Sequence, residues 1–191
     1  MFIEHGGDIF ADDLMNSENR ILDFSANINP LGMPDEVKSA IVRNVDDYDH
    51  YPDIHNRALR EAIAAHFNVD SSCILCGNGA AEVIYKLVFS LSPEKALVTA
   101  PTFSEYEEAL AAAGCEVSHY MLMEEDDFDI REDIIDSIED DTDIVFLCNP
   151  NNPTGRSVKN GLIERMLDKT AANGTVIVVD ECFMDFIRDR K

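Results

Sequence analysis

Basic side chains are scarce in this chain of 191 residues: fifteen lysines and arginines stand against thirty-eight aspartates and glutamates, a formal charge of -23. Such a surface repels nucleic acid and anionic membranes, which argues against a phosphate-backbone partner and for a small-molecule ligand. No apolar run approaches the ~20 residues of a membrane span, and the start, Met1 to Asp8, has neither a basic cluster nor an apolar stretch. The expectation is a soluble, cytoplasmic protein. Internal repeats and low-complexity segments are also missing. Cys73-x-x-Cys76 lacks the second Cys or His pair that a zinc site needs, so no metal is expected. The five cysteines are odd in number and mostly lie inside apolar runs, which suits reduced core thiols better than a disulfide framework. The acidic runs Glu124 to Asp127 and Glu139 to Asp141 fall between periodic segments and read as solvated loop charge.

What is present is a regular alternation. Residues 1 to 34 carry breakers (Gly6-Gly7, Asn29-Pro30, Gly32-Met33-Pro34) and read as an extended arm. Helical spacing follows at Val37/Ala40/Ile41/Val45 and, after the Tyr51-Pro52-Asp53 turn, at Leu59/Ile63/Phe67. Apolar runs at Ile74 to Cys76, Ala96 to Thr99, Val117 to Leu122, Ile144 to Cys148 and Val176 to Val179 predict strands. Between them, Val83/Ile84/Leu87/Val88/Leu91, Tyr106/Leu110/Ala113, Ile134/Ile135/Ile138 and Leu162/Ile163/Met166/Leu167 predict helices. The pattern predicts a three-layer α/β/α domain with a mostly parallel sheet over residues 35 to 191.

Four of the five strand runs end directly in an unusual loop: Gly77-Asn78-Gly79-Ala80-Ala81-Glu82, Pro101-Thr102-Phe103, Asn149-Pro150-Asn151-Asn152-Pro153-Thr154-Gly155 and Asp180-Glu181. In an open parallel sheet these loops share the carboxyl edge, where ligands bind. The glycine-rich segment is either a tight connection or a phosphate cradle built on free N–H groups at a helix N-terminus. It matches neither the P-loop nor the dinucleotide fingerprint. Asp180 closes a fully apolar strand. It reads either as a helix cap facing water or as a fixed anion beneath a protonated ring nitrogen. The Asn149 to Gly155 segment is rich in turn formers and can be a rigid turn alone.

Together, N-P-N-N-P-T-G, a later strand ending in Asp-Glu, and the upstream G-N-G-A-A-E and P-T-F elements resemble the large domain of the fold-type I, pyridoxal 5'-phosphate (PLP)-dependent class I/II aminotransferase superfamily. The resemblance implies that Asn152 bonds the cofactor's ring oxygen, that Asp180 pairs with the pyridinium, and that Phe103 stacks on the ring. It also implies that the backbone of Gly79, Ala80 and Ala81 holds the phosphate. Tyr51 would reach the phosphate in a neighbouring subunit, making a homodimer with shared sites.

The arm elements His5-Gly6-Gly7-Asp8 and Asp23 to Gly32 resemble the threonine-phosphate decarboxylases of cobalamin biosynthesis, with histidinol-phosphate aminotransferases the nearest alternative. Phe183 agrees, standing where the aminotransferases usually carry a tyrosine. By that resemblance His5 and Asn29 lie at the substrate, a phosphorylated amino acid, and help select the bond that breaks. The family's Schiff-base lysine has no counterpart through Lys191, nor do its phosphate-binding and substrate-binding arginines. The expectation is therefore part of a large domain whose C-terminal portion is missing and which does not turn over alone. A non-catalytic protein that at most binds the cofactor or a partner is the alternative of another class.

Overall fold

The structure is a computed structural model and describes residues 22–159 and 161–187. The chain divides into two compact units, Met1–Leu75 and Cys76–Lys191. The expected boundary at residue 34 marked an extended arm; the boundary at residue 75 marks compactness.

In the first unit, residues 22–34 hold no helix or strand. Two helices follow, α1 (Asp35–Arg43) and α2 (Arg57–Phe67). Pro34 precedes α1 and Asp35 and Glu36 occupy its first turn, an arrangement that suits the positive end of a helix. The Asp53 carboxylate accepts the N–H groups of His55 (3.0 Å) and Arg57 (2.9 Å), which starts α2. Ala64 is buried there, and the Arg60 guanidinium ties α2 to the following turn by donating to the Ser71 carbonyl at 2.6 and 3.1 Å.

The second unit begins with α3 (Gly79–Leu91) and then alternates: β1 (Lys95–Ala100), α4 (Glu105–Ala112), β2 (Glu116–Met121), β3 (Ile144–Cys148), α5 (Leu162–Thr170) and β4 (Val176–Asp180). All pairings are parallel and the sheet order is β2-β1-β3-β4. Alternate residues of the strands face opposite layers. Ala96, Val98, Ile144 and Phe146 pack against Ile84 and Val88 of α3 and Tyr106, Ala109 and Leu110 of α4. Leu97, Val145 and Leu147 pack against Leu162 and Met166 of α5 and against Ile134 and Ile138. The predicted three-layer α/β/α arrangement with a parallel sheet is therefore present.

Three local expectations need correction. Ile74 to Cys76 is not a strand; Leu75 is exposed, and no strand among the described residues pairs with this short run. A strand alone leaves its ladder groups unpaired, so an apolar run does not make one without a neighbour. Ile134, Ile135 and Ile138 belong to a 3₁₀ segment (Glu132–Ser137) and its end rather than to an α-helix, since their spacing suits either. Of the cysteines in apolar runs only Cys148 is buried as expected, whereas Cys73 and Cys182 are exposed and Cys76 is half-buried; Cys115, outside those runs, is buried as well.

Candidate functional site

Parallel pairing places the ends of β1, β3 and β4 on one edge, and in the β3/β4 register Cys148 lies opposite Asp180. The loops leaving that edge are bonded to one another. The Asn149 N–H donates to the Asp180 carbonyl at 2.8 Å, continuing the ladder past the strand ends. The Asn149 carboxamide oxygen accepts from the Val158 N–H at 2.9 Å. Asn151, 3% exposed, fastens the β3 loop to the β1 loop. Its Nδ2 donates to the Pro101 carbonyl (3.0 Å) and the Thr154 hydroxyl (2.9 Å), and its Oδ1 accepts from the Thr102 hydroxyl (2.7 Å). The Ala100–Pro101, Asn149–Pro150 and Asn152–Pro153 peptides are cis.

Asn152 follows directly. It is half-buried, and among the described residues no hydrogen bond engages its carboxamide, in contrast to Asn149 and Asn151. Phe103 opens the α4 segment, half-buried, with its ring edge-on to Tyr106 at 5.6 Å between centroids. Tyr106 in turn stacks on Phe146 of β3 at 5.0 Å.

Asp180 sits at the end of β4, and both of its carboxylate oxygens accept bonds. The Cys182 N–H donates to Oδ1 at 2.9 Å and the Tyr106 hydroxyl to Oδ2 at 2.7 Å. Burial pushes the Tyr106 hydroxyl far above an ordinary tyrosine, and the adjacent Cys148 thiol and Asp180 carboxylate add to that shift. Burial likewise raises the Cys148 thiol, which donates to the Pro150 carbonyl at 3.3 Å. Both groups stay protonated, and the aspartate is surrounded by donors.

The glycine-rich loop starts α3. Gly79 has φ +84°, a region that L side chains rarely adopt, and a side chain there would meet nothing within 4 Å. Gly77 is closely packed; a Cβ would lie 2.7 Å from Val83 Cγ2. The Glu82 carboxylate reaches back to the Asn78 N–H and pairs with Lys86 at 2.6 Å, so the chain supplies its own cap on the outer side of the turn. The first-turn N–H groups of Gly79, Ala80 and Ala81 have no acceptor within the helix, and both alanines are exposed.

Asp180, Asn152 and Phe103 thus lie on one bonded edge, and Gly79, Ala80 and Ala81 open the helix that packs against α4. Tyr51 and Asn29 lie in the first unit. Tyr51 is fully exposed; Asn29 is exposed and spends its carboxamide on its own turn, accepting from the Leu31 N–H (3.0 Å) and donating to the Gly32 carbonyl (3.2 Å). His5 lies outside the described residues, as does Lys191. Sequence reasoning passed over Tyr106 and Asn151. The first was counted as one face of a helix, although a tyrosine on an apolar face signals a hydroxyl that needs a buried partner.

Among the described residues no group of three His, Cys, Asp or Glu side chains could hold a metal, and no helix is long and apolar enough to cross a membrane. A cavity of about 510 Å³ lies elsewhere, lined by Ile130, Arg131, Asp133, Lys159, Leu162 and Arg165. Its cations are already paired, Arg131 with Asp126, Lys159 with Asp129 and Arg165 with Glu132.

The sequence profile of the family described as aminotransferase class I and II matches residues 19–191, and the chain belongs to that family. Over 185 residues it is 42% identical to the threonine-phosphate decarboxylase of Salmonella typhimurium, covering 96% of this chain and 51% of that protein. The crystal structure of L-threonine-O-3-phosphate decarboxylase from Porphyromonas gingivalis superposes with a TM-score of 0.71 at 29% identity, covering 82% of this chain and 45% of that one. Histidinol-phosphate aminotransferase from Clostridium acetobutylicum superposes at 0.79 with 34% identity, covering 88% and 49%. The chain spans about half the length of the relatives it matches, and its fold is the corresponding part of the fold-type I aminotransferase domain.

Proposed function

We propose that this chain supplies the cofactor-binding half of a PLP-dependent enzyme that decarboxylates L-threonine O-3-phosphate to (R)-1-amino-2-propanol O-2-phosphate in cobalamin biosynthesis. The observation that carries the reading is the Asp180 carboxylate, held at a strand end by two donors on the same edge as Asn152 and Phe103. The 42% identity to a threonine-phosphate decarboxylase supports the choice of reaction.

The residues present fit pyridoxal 5'-phosphate. Asp180 would take the pyridine nitrogen, since its carboxylate, fixed by one donor on each oxygen, keeps lone pairs free for a protonated ring. The unengaged Asn152 carboxamide would donate to the ring oxygen, Phe103 would cover a ring face, and the open first turn at Gly79, Ala80 and Ala81 would receive the phosphate. When bound, the protonated ring accepts the electron pair released as a bond at the substrate's α-carbon breaks. Residues 1–34 would form the arm over the substrate, with His5 and Asn29 fixing which bond is aligned. Tyr51 would serve a partner's site in a homodimer, and the lysine that anchors the cofactor would come from a segment outside this chain.

A second reading, histidinol-phosphate aminotransferase, is favoured by the higher superposition score to that enzyme. The full-length protein separates the two. Release of carbon dioxide from threonine phosphate is expected, and transamination of histidinol phosphate at a higher kcat/KM overturns the decarboxylase reading. Asp180→Asn in that protein is expected to raise the barrier by several kcal/mol, the scale of a lost charge partner.

A further inference from the structure

The hydroxyl of Tyr106 is fully buried, and its oxygen lies 2.7 Å from Asp180 Oδ2. The ring needs no hydroxyl to pack, because it is stacked on Phe146 and touches Phe103 edge-on, contacts that a phenylalanine would keep. The hydroxyl's role is therefore toward the carboxylate. Asp180 has two donors of different kinds. The Cys182 N–H lies two residues away and travels with Asp180, whereas Tyr106 lies 74 residues away on α4. Tyr106 is thus the donor that fixes Asp180 relative to another element. That element begins beside Phe103, three residues earlier in the chain, so one short stretch sets both the ring contact and the orientation of the anion.

We propose that Tyr106 is a positioning residue for Asp180: its hydroxyl donates to Oδ2, fixes the carboxylate's orientation, and turns the remaining lone pairs toward the cofactor's ring nitrogen. The proposal rests on the reading of Asp180 as that nitrogen's partner. Each carboxylate oxygen offers about two acceptor positions, and each has one filled, which leaves one open on each oxygen. Burial keeps the Tyr106 proton in place, so the bond runs in one direction only. The Cys148 thiol, which donates to Pro150 at 3.3 Å, also lies beside the hydroxyl.

The test compares, in the full-length apo-protein, the affinity for pyridoxal 5'-phosphate with that for its 1-deaza analogue, in which carbon replaces the ring nitrogen. Wild-type protein is expected to prefer the natural cofactor. Tyr106→Phe shrinks that preference about ten- to hundredfold, the worth of one charge-assisted hydrogen bond. In an Asp180→Asn background the same change has no further effect on the preference. An equal loss of affinity for both ligands on Tyr106→Phe, or a full additional effect in the Asp180→Asn background, overturns the positioning role while leaving the cofactor reading intact. Absence of any preference in wild-type protein overturns the reading of Asp180 and the proposal with it. Should Tyr106→Phe not fold, the wild-type hydroxyl proton decides: its resonance is expected to be protected from exchange and to shift when the cofactor binds but not when the deaza analogue binds, and equal shifts with both overturn the proposal.

Discussion

Asn151 gives the sharpest test of how the edge is assembled, because it is almost fully buried and makes three side-chain hydrogen bonds, two to the β1 loop and one within its own. Replacing it with alanine removes all three. At about 1 kcal/mol net for each, Asn151→Ala is expected to cost about 3 kcal/mol of unfolding free energy. Asn151→Asp keeps the shape and the acceptor for Thr102 but sets an oxygen against the Pro101 carbonyl where Nδ2 donated. It should therefore be no better than alanine. Urea unfolding followed by circular dichroism measures both, and Thr102→Val, which loses one of the three bonds, should fall near 1 kcal/mol. A loss under about 1 kcal/mol for Asn151→Ala, or an Asp variant as stable as wild type, would refute the claim that this carboxamide fastens the β1 and β3 loops.

Three other outcomes are expected. The Thr99 hydroxyl in β1 is buried with no hydrogen-bond partner among the described residues, so Thr99→Val should raise stability by about 1 kcal/mol, seen as a higher urea midpoint; a lower midpoint would reveal a partner for that hydroxyl. Burial, reinforced by donation to Asp133, pushes the Tyr120 hydroxyl up to about 12. The native state thus holds this proton more tightly than the unfolded chain does; the stabilisation is complete below pH ~10 and lost as pH rises through the native value. Ultraviolet titration of the phenolate should show it, and Tyr120→Phe should remove that step. Gly77→Ala would press a Cβ onto Val83 and Glu82, and should cost about 1–3 kcal/mol by overpacking; an unchanged thermal midpoint would show that the turn relaxes freely.

The sheet was legible where the sequence offers an uninterrupted apolar run with a partner on either side. Ile144 to Cys148 is such a run, every residue of it buried between β1 and β4. The run at Ile74 to Cys76 is similar in composition and forms no strand, because pairing is a property of two segments and the run describes one. The segment from Ile134 to Ile138 shows the same limit for helices: apolar residues three and four apart satisfy a 3₁₀ turn as readily as an α-helix, and length settles which forms.

The site divides along a related line. Phe103, Asn152 and Asp180 could be picked out because each lies at the end of a strand or in the loop that leaves it, so the topology that places the strands places them. Tyr106 and Asn151 could not, since their bonds join positions 74 and 49–50 residues apart, and no local pattern encodes such a pairing. Yet these residues give the aspartate its character. Among the described residues Asp180 meets neutral donors and no cation, so its charge is met by dipoles alone. An aspartate already neutralised by arginine or lysine would have little to offer a protonated ring. One held by a hydroxyl and an amide keeps lone pairs free, which is the arrangement that the proposed pairing with a ring nitrogen requires.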